Sequence, residues 1–205
     1  MNVLGIYGSP RKGGNSDTIL DRVLDGAASA GAVASRIYVR DLNFKGCVEC
    51  GGCRDTGRCV TPDDMQSVYP KLIDSHIIFL SSPVFFYGMS SQLKAFIDRC
   101  QALWSRRMIM KSAEERKRHE GGRGYLVMVG ATKGVNLFTG GELTAKYFFD
   151  SLDKSYEGGI FFKAEGRGDV LNNPGDLKRA YEFGVQAVKS GDHAQAGYNR
   201  RVTRE

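Results

Sequence analysis

Ser9-Pro10-Arg11-Lys12-Gly13-Gly14-Asn15-Ser16 is the stretch whose reading decides the fold. Before it lies a compact apolar run from Asn2 to Tyr7, which reads as a buried strand. After it, Ile19, Leu20, Val23, Leu24, Ala27 and Ala28 recur at helical spacing. A loop joining a strand to a helix presents free backbone N–H groups at the positive end of the helix dipole, which suits an anion. The residue types narrow which anion. A Walker loop needs Gly-Lys-Ser/Thr, but here Gly13 is followed by Gly14 and Asn15. Gly8-Ser9-Pro10 fails the dinucleotide fingerprint, and a phosphatase nucleophile is missing because the loop holds no cysteine. Ser9, Arg11, Asn15, Ser16 and Thr18 remain: hydroxyls, an amide and one guanidinium, fitting a terminal phosphate monoester. Arg11 can add a charge-assisted, bidentate contact. The plainer alternative is a Gly-rich turn with Ser16 as the helix N-cap; the position directly after the first strand favours the phosphate.

Working outward, Gly31 is placed to end the first helix, and residues 33–39 read as a second strand. Residues 43–62 are irregular and carry four of the five cysteines. A short helix follows, starting at Asp63 or Asp64 and running through Met65, Val68 and Leu72. Residues 76–80 form a third strand, and Leu93, Phe96, Ile97, Cys100 and Leu103 a further helical stripe. Then come a strand at 125–129, a helix at 142–152, a strand at 160–162 and a last helix at 176–188. Strands alternating with helices imply a parallel sheet covered on both faces. Five such units, without repeat or linker, predict one α/β domain over residues 1–205. The expected fold is a doubly wound, flavodoxin-like five-stranded sheet in the order 2-1-3-4-5. Ligands in that fold bind beyond the carboxyl ends of the strands, where the order reverses. The loops after the first, third and fourth strands are therefore the ones that matter.

The loop after the third strand is Ser82-Pro83-Val84-Phe85-Phe86-Tyr87-Gly88-Met89. Three aromatics beside Pro83 and Gly88 suit a flat amphipathic ring, with apolar side chains on its face and backbone amides at its edge. One of Phe85 and Phe86 is expected to plug the core. The loop after the fourth strand, Gly130-Ala131-Thr132-Lys133-Gly134, offers small residues and further N–H groups. Lys133 either lies near such a ring, where its charge would favour an anionic form, or faces solvent. Together, Gly-Ser-Pro-Arg-x-x-Gly-Asn-Ser at 8–16, Ser-Pro-Val-Phe-Phe-Tyr-Gly at 82–88 and the helix Gln92-Leu93-Lys94-Ala95-Phe96-Ile97-Asp98-Arg99 resemble the NADPH-dependent FMN reductase group of the flavodoxin-like superfamily. The resemblance covers most of the chain. It implies FMN bound by Ser9, Arg11, Asn15, Ser16, Thr18, Pro83, Val84, Phe85, Tyr87, Gly88, Ala131, Thr132, Lys133 and Gly134. It also implies hydride delivery from NAD(P)H or another donor, with the chemistry supplied by the flavin. No acid, base or nucleophile is assigned.

Cys47-x2-Cys50-x2-Cys53-x5-Cys59 packs four cysteines into thirteen residues, with Gly46, Gly51, Gly52 and Gly57 around them. In a chain expected to be cytosolic, such crowding favours metal over disulfides. Zinc more often uses two separated pairs. Three cysteines at two-residue spacing are like the start of a bacterial cluster-binding run, although the last gap is longer and no Pro follows Cys59. The motif is similar to that of the iron–sulfur flavoproteins, and by that resemblance Cys47, Cys50, Cys53 and Cys59 hold one [4Fe–4S] cluster. Zinc and free redox-active thiols remain open. Cys100, on an apolar helical stripe, reads as a buried core thiol. His76, His119 and His193 show no ligand spacing.

The formal net charge of +6 would be lowered by an FMN phosphate, which brings about −1.5 to −2. Arg106-Arg107 and Arg116-Lys117-Arg118 alternate with Glu114, Glu115 and Glu120 without stacking aromatics, so a solvated segment is expected rather than nucleic-acid binding. Arg200-Arg201-Val202-Thr203-Arg204 reads as a mobile tail. No apolar run approaches the roughly 18 residues of a membrane span. The start Met1-Asn2-Val3-Leu4-Gly5 lacks a basic, cleavable leader, so a cytoplasmic protein is expected. The leading expectation is an enzyme relaying electrons between FMN and a [4Fe–4S] cluster. An NAD(P)H-dependent FMN or quinone reductase without a cluster is the second, and a zinc-stabilised binding module without turnover the third. The resemblance further implies a homodimer or homotetramer, with the segment 106–122 as an interface arm or lid, and NAD(P)H, a quinone or a ferredoxin-type protein as electron partner.

Overall fold

In the computed structural model, which describes residues 1–190, the run Asn2–Tyr7 (β1) is an interior strand of a five-stranded sheet, second from one edge. Its neighbours are Val33–Tyr38 (β2) and Ile77–Pro83 (β3); Arg123–Gly130 (β4) and Ser155–Lys163 (β5) continue beyond β3. The order is β2-β1-β3-β4-β5 and every pairing is parallel, as the alternation of elements predicts. β1, β3 and β4 are buried almost throughout, which is why they read as continuous apolar runs. The edge strands β2 and β5 are only partly buried, and β5 is the less legible: Gly158 and Gly159 interrupt it, so the sequence shows only its end.

Among the described residues six helices cover the two faces. On one side Asn15–Ser29 (α1) and Pro174–Lys189 (α6) pack over Val3, Ile77, Phe79 and Val127. These two helices approach through glycines, since a Cβ on Gly26 would run into the Tyr181 carbonyl and one on Gly184 into that of Val23. On the other side Met65–Asp74 (α2), Ser91–Arg99 (α3), Gln101–Met110 (α4) and Thr139–Ser151 (α5) enclose Leu4, Ile78, Leu93, Phe96, Phe148 and Phe149. The stripe Leu93 to Leu103 is therefore two helices rather than one, broken where Cys100 leaves helical geometry (φ −75°, ψ 1°). Cys100 itself is buried, as expected, and burial pushes its thiol well above the ordinary range.

The segment 106–122 is pinned rather than loose. Arg107 is buried and pairs with Asp150 (2.9 Å) and Asp153 (3.0 Å), while Lys111 bridges Asp153 and Glu120. Close by, Lys154 is fully buried and donates to the carbonyls of Ile73, Ser75 and Gly121. Among the described residues no helix is long and apolar enough to cross a membrane. The tail Arg200 to Arg204 and His193 lie outside the described residues.

Candidate functional site

The loops after β1, β3 and β4 meet at the carboxyl edge of the sheet. They are joined there by specific bonds. Gly8 N–H donates to Ser81 O (2.8 Å), and the Ser90 hydroxyl donates to Gly8 O (2.5 Å) while capping α3 through Leu93 N–H (3.2 Å). Val84 N–H donates to Val129 O (2.9 Å), tying the third-strand loop to the fourth strand.

In the first loop most candidate polar groups shape the backbone. Ser9 Oγ accepts from Arg11 N–H and donates to Arg11 O, both at 3.1 Å. Thr18 directs its hydroxyl to Gly14 O, and Gly13 takes the left-handed backbone (φ 65°) that the turn needs. Gly14, not Ser16, is the N-cap of α1, so the alternative role for Ser16 as N-cap is corrected; Ser16 is a buried residue inside the first turn. Asn15 is committed elsewhere as well, bonding Gly166 O (2.8 Å) and Gly168 N–H (2.9 Å) of the loop after β5. Arg11 is exposed, and the first N–H groups of α1 have no intrahelical acceptor. Asp17 was not singled out in the sequence. It is buried, accepts from Gly13 N–H (3.0 Å) and pairs with Arg40 (3.0 Å). Burial pushes its carboxyl above the ordinary range, against the pull of Arg40 and the Gly13 amide. Its clue is position: an acid in the first helical turn complements the dipole.

The aromatic loop closes as a tight hairpin, with Phe85 and Gly88 exchanging two backbone bonds (3.0 and 2.9 Å). Its two central residues, Phe86 and Tyr87, both hold positive φ (47° and 61°), a conformation that favours Asn or Gly. Neither Phe85 nor Phe86 plugs the core. They are 49% and 105% exposed, because the hairpin turns both rings away from the sheet. Tyr87 lies against Gly134, where a Cβ would collide with its hydroxyl, so the second and third loops touch through this pair. Pro83 and Val84 are half-buried; Ala131, Thr132 and Lys133 are exposed at the rim.

The cysteine segment folds beside the amino end of α4. Cys47, Cys50, Cys53 and Cys59 all line one cavity of about 120 Å³, with Arg99, Trp104 and Ser105 on its wall. All four thiols are free, and among the described residues no three His, Cys, Asp or Glu side chains converge on one metal ion. Gly51 and Gly57 hold positive φ (75° and 65°), and Gly57 packs against the Arg106 backbone too closely for any Cβ. Cys53 Sγ lies 3.7 Å from Ser105 Oγ. Cys59 Sγ accepts from Arg99 at 3.3 Å. Burial acts to raise the Cys59 thiol, but hydrogen bonds from Thr61, Arg99 and Tyr69 together hold it below the ordinary range.

Residues 1–135 match the model of the NADPH-dependent FMN reductase family. The chain belongs to that family. Within the wider set of relatives, an iron–sulfur flavoprotein from Methanocaldococcus jannaschii is 36% identical over 103 residues, covering 50% of this chain and 53% of that protein. A candidate NAD(P)H-dependent FMN-containing oxidoreductase of Bacillus subtilis is 26% identical and covers 88% of this chain and 94% of its own. Apart from that fuller match, the chain spans about half the length of the curated relatives it matches. A solved archaeal flavodoxin, 14% identical, superposes over 94% of this chain and all of its own with a TM-score of 0.57. That likeness is one of fold, and it agrees with the strand order described above. FMN is the cofactor of this reductase family, and the three joined loops lie where a doubly wound sheet receives its ligand.

Proposed function

We propose that this chain is an FMN-dependent oxidoreductase that relays electrons between FMN and a [4Fe–4S] cluster. The flavin half rests on one observation above the others: three loops of unusual composition are bonded together at the carboxyl edge beside β1 and β3, where the strand order reverses. Arg11 and the free N–H groups of α1 would receive the phosphate. Ser9, Asn15, Ser16 and Thr18 form and brace that loop. The ring would be seated by Pro83, Val84, Phe85, Tyr87 and Gly88 on one side and by Ala131, Thr132, Lys133 and Gly134 on the other. FMN supplies the redox chemistry, accepting a pair of electrons as hydride from a nicotinamide and releasing them to an acceptor. The protein's own part is to orient the ring and exclude water from one face.

The cluster half rests on the donor set. Four thiols line one cavity, and a buried guanidinium donates to one of the sulfurs. Thiolates are the ligands such clusters take, each at its own iron, so convergence on a single point is not required. The names of several relatives support the same reading. A second reading, NAD(P)H-dependent reduction of FMN or a quinone without a cluster, is favoured by the Bacillus subtilis relative, which matches the chain most fully among those named above. We further infer a cytoplasmic homodimer or homotetramer whose electron partners are NAD(P)H, a quinone or a ferredoxin-type protein.

The deciding experiment is an anaerobic absorption spectrum with iron, sulfide and zinc counts. Flavin with about four irons per chain, as four thiolate ligands imply, supports the relay. Flavin without iron supports the plain reductase, and zinc without flavin refutes both. Cys53→Ser should remove iron and leave FMN in place. Loss of FMN alone from that variant would overturn the division into two centres.

A further inference from the structure

Arg99 ends α3 and is 3% exposed, so its charge must be compensated inside the protein. Nη1 donates to Lys45 O (2.7 Å) and Asp63 Oδ2 (2.5 Å). Nη2 donates to Asp63 Oδ1 (2.9 Å) and Cys59 Sγ (3.3 Å). Nε is buried without a hydrogen-bond partner. Tyr69 donates to the Arg99 carbonyl (3.0 Å), fixing the backbone from which this side chain extends. One guanidinium therefore joins the two ends of the cysteine segment and touches a sulfur at its far end. The bidentate pair with Asp63 sets the plane of the fork, leaving one N–H for the sulfur.

A clamp alone would need only Asp63 and the Lys45 carbonyl. The contact to Cys59 adds something else. A hydrogen bond from a cation withdraws electron density from a sulfur, and net charge together with hydrogen bonds to the sulfurs sets the potential of a thiolate-held iron–sulfur group. In a buried setting that electrostatic effect is strengthened. Asp63 opposes it, because its negative charge lies beside the same guanidinium.

We propose that Arg99 is a positioning residue that raises the reduction potential of the group held by Cys47, Cys50, Cys53 and Cys59, with Asp63 as its counterweight. This rests on the cluster reading above. The test uses the full-length chain, reconstituted anaerobically with iron and sulfide, as wild type, Arg99→Gln, Arg99→Lys and Asp63→Asn. Iron content and the midpoint potential from a spectroscopic redox titration are measured for each.

Arg99→Gln should favour the oxidised state by about tenfold, which is about 59 mV for one electron. Arg99→Lys, which keeps the charge, should recover most of that shift. Asp63→Asn should move the potential in the opposite direction. Loaded variants whose potentials stay at the wild-type value, or shift the same way for Arg99→Gln and Asp63→Asn, overturn the proposal and leave Arg99 a clamp. Should Arg99→Gln fail to load, Asp63→Asn decides, and an unchanged potential there also overturns it. A wild-type chain that takes up no iron fails earlier, at the cluster reading itself.

Discussion

The hydroxyl of Ser90 donates to the carbonyl of Gly8 at 2.5 Å, so the start of α3 and the start of the loop after β1 are held as one piece. The same oxygen caps α3 by accepting from Leu93 N–H. Ser90→Ala would remove the cap and leave the buried Gly8 carbonyl short of a partner. A loss of about 1–2 kcal/mol is expected, from the cost of a lost N-cap. Urea unfolding of the apo chain should show a lower midpoint with an unchanged slope. FMN affinity should fall in parallel, because the first and second loops lose their common anchor.

Phe86 is fully exposed yet holds φ of 47°, where most L-residues are strained. Phe86→Gly should therefore stabilise the apo protein, by about 1 kcal/mol. If the strain serves the flavin seat, FMN binding measured by fluorescence quenching should weaken in the same variant. Stabilisation with undiminished FMN affinity would show that the hairpin conformation is unrelated to binding.

Gly134 sits under the Tyr87 hydroxyl with no room for a Cβ. Gly134→Val should push the second and third loops apart. Expected is a clear fall in FMN affinity with little change in thermal stability, since both residues lie at the rim. Tyr87→Phe combined with Gly134→Val should recover part of the loss, because the colliding hydroxyl is gone while the ring stays.

Arg107 is buried against Asp150 and Asp153, which are themselves partly exposed. Reversing it to Glu would place three carboxylates together. The cost is expected near 3 kcal/mol, the lower end for breaking a buried pair. This variant reports on folding rather than on an interface arm, so an assembly test belongs to Arg106 alone. Arg106→Glu should leave stability intact; a changed mass by light scattering would implicate that segment in oligomer contacts.

Lys154 is fully buried, and burial pulls its ammonium down to about 8 from an ordinary value of 10.5, against the attraction of Asp153 and Asp74. Between these two pH values the unfolded chain binds a proton that the folded chain does not. Stability from this group therefore rises with pH through that window, by at most about 1.4 kcal/mol per unit. Subtracting the pH profile of Lys154→Met from that of wild type, between pH 7.5 and 9.5, isolates the effect from tyrosine ionisation. A flat difference would mean that the three carbonyl acceptors keep the lysine charged throughout.

Periodicity and local chemistry made much of this protein legible before any coordinates. The short apolar runs of β1, β3 and β4, bounded by turn residues, read as strands covered on both faces, and their parallel pairing followed from the alternation with helices. The exclusion of Walker, dinucleotide and phosphatase patterns from residues 8–16 was likewise a matter of residue types alone. What stayed hidden involves partners distant in sequence. The commitment of Asn15 to Gly166 and Gly168 spans about 150 residues, and no local pattern announces it. The break at Cys100 is invisible because the apolar stripe continues across it. The outward turn of Phe85 and Phe86 depends on a hairpin whose positive φ at Phe86 and Tyr87 neither of those two residues favours.

The first loop, then, was determined by the sequence in composition and place, since a turn that directly follows the first buried strand and opens a helix lies at the carboxyl edge of such a sheet. The tertiary structure decided which of its groups face outward. Asn15 is drawn across the chain to Gly166, Ser9 and Thr18 bond the loop's own backbone, and Arg11 stays exposed. The cysteines show the same division. Their spacing is a property of the sequence, while the buried Arg99 that touches Cys59 arrives from forty residues away because α3 packs against the segment's two ends.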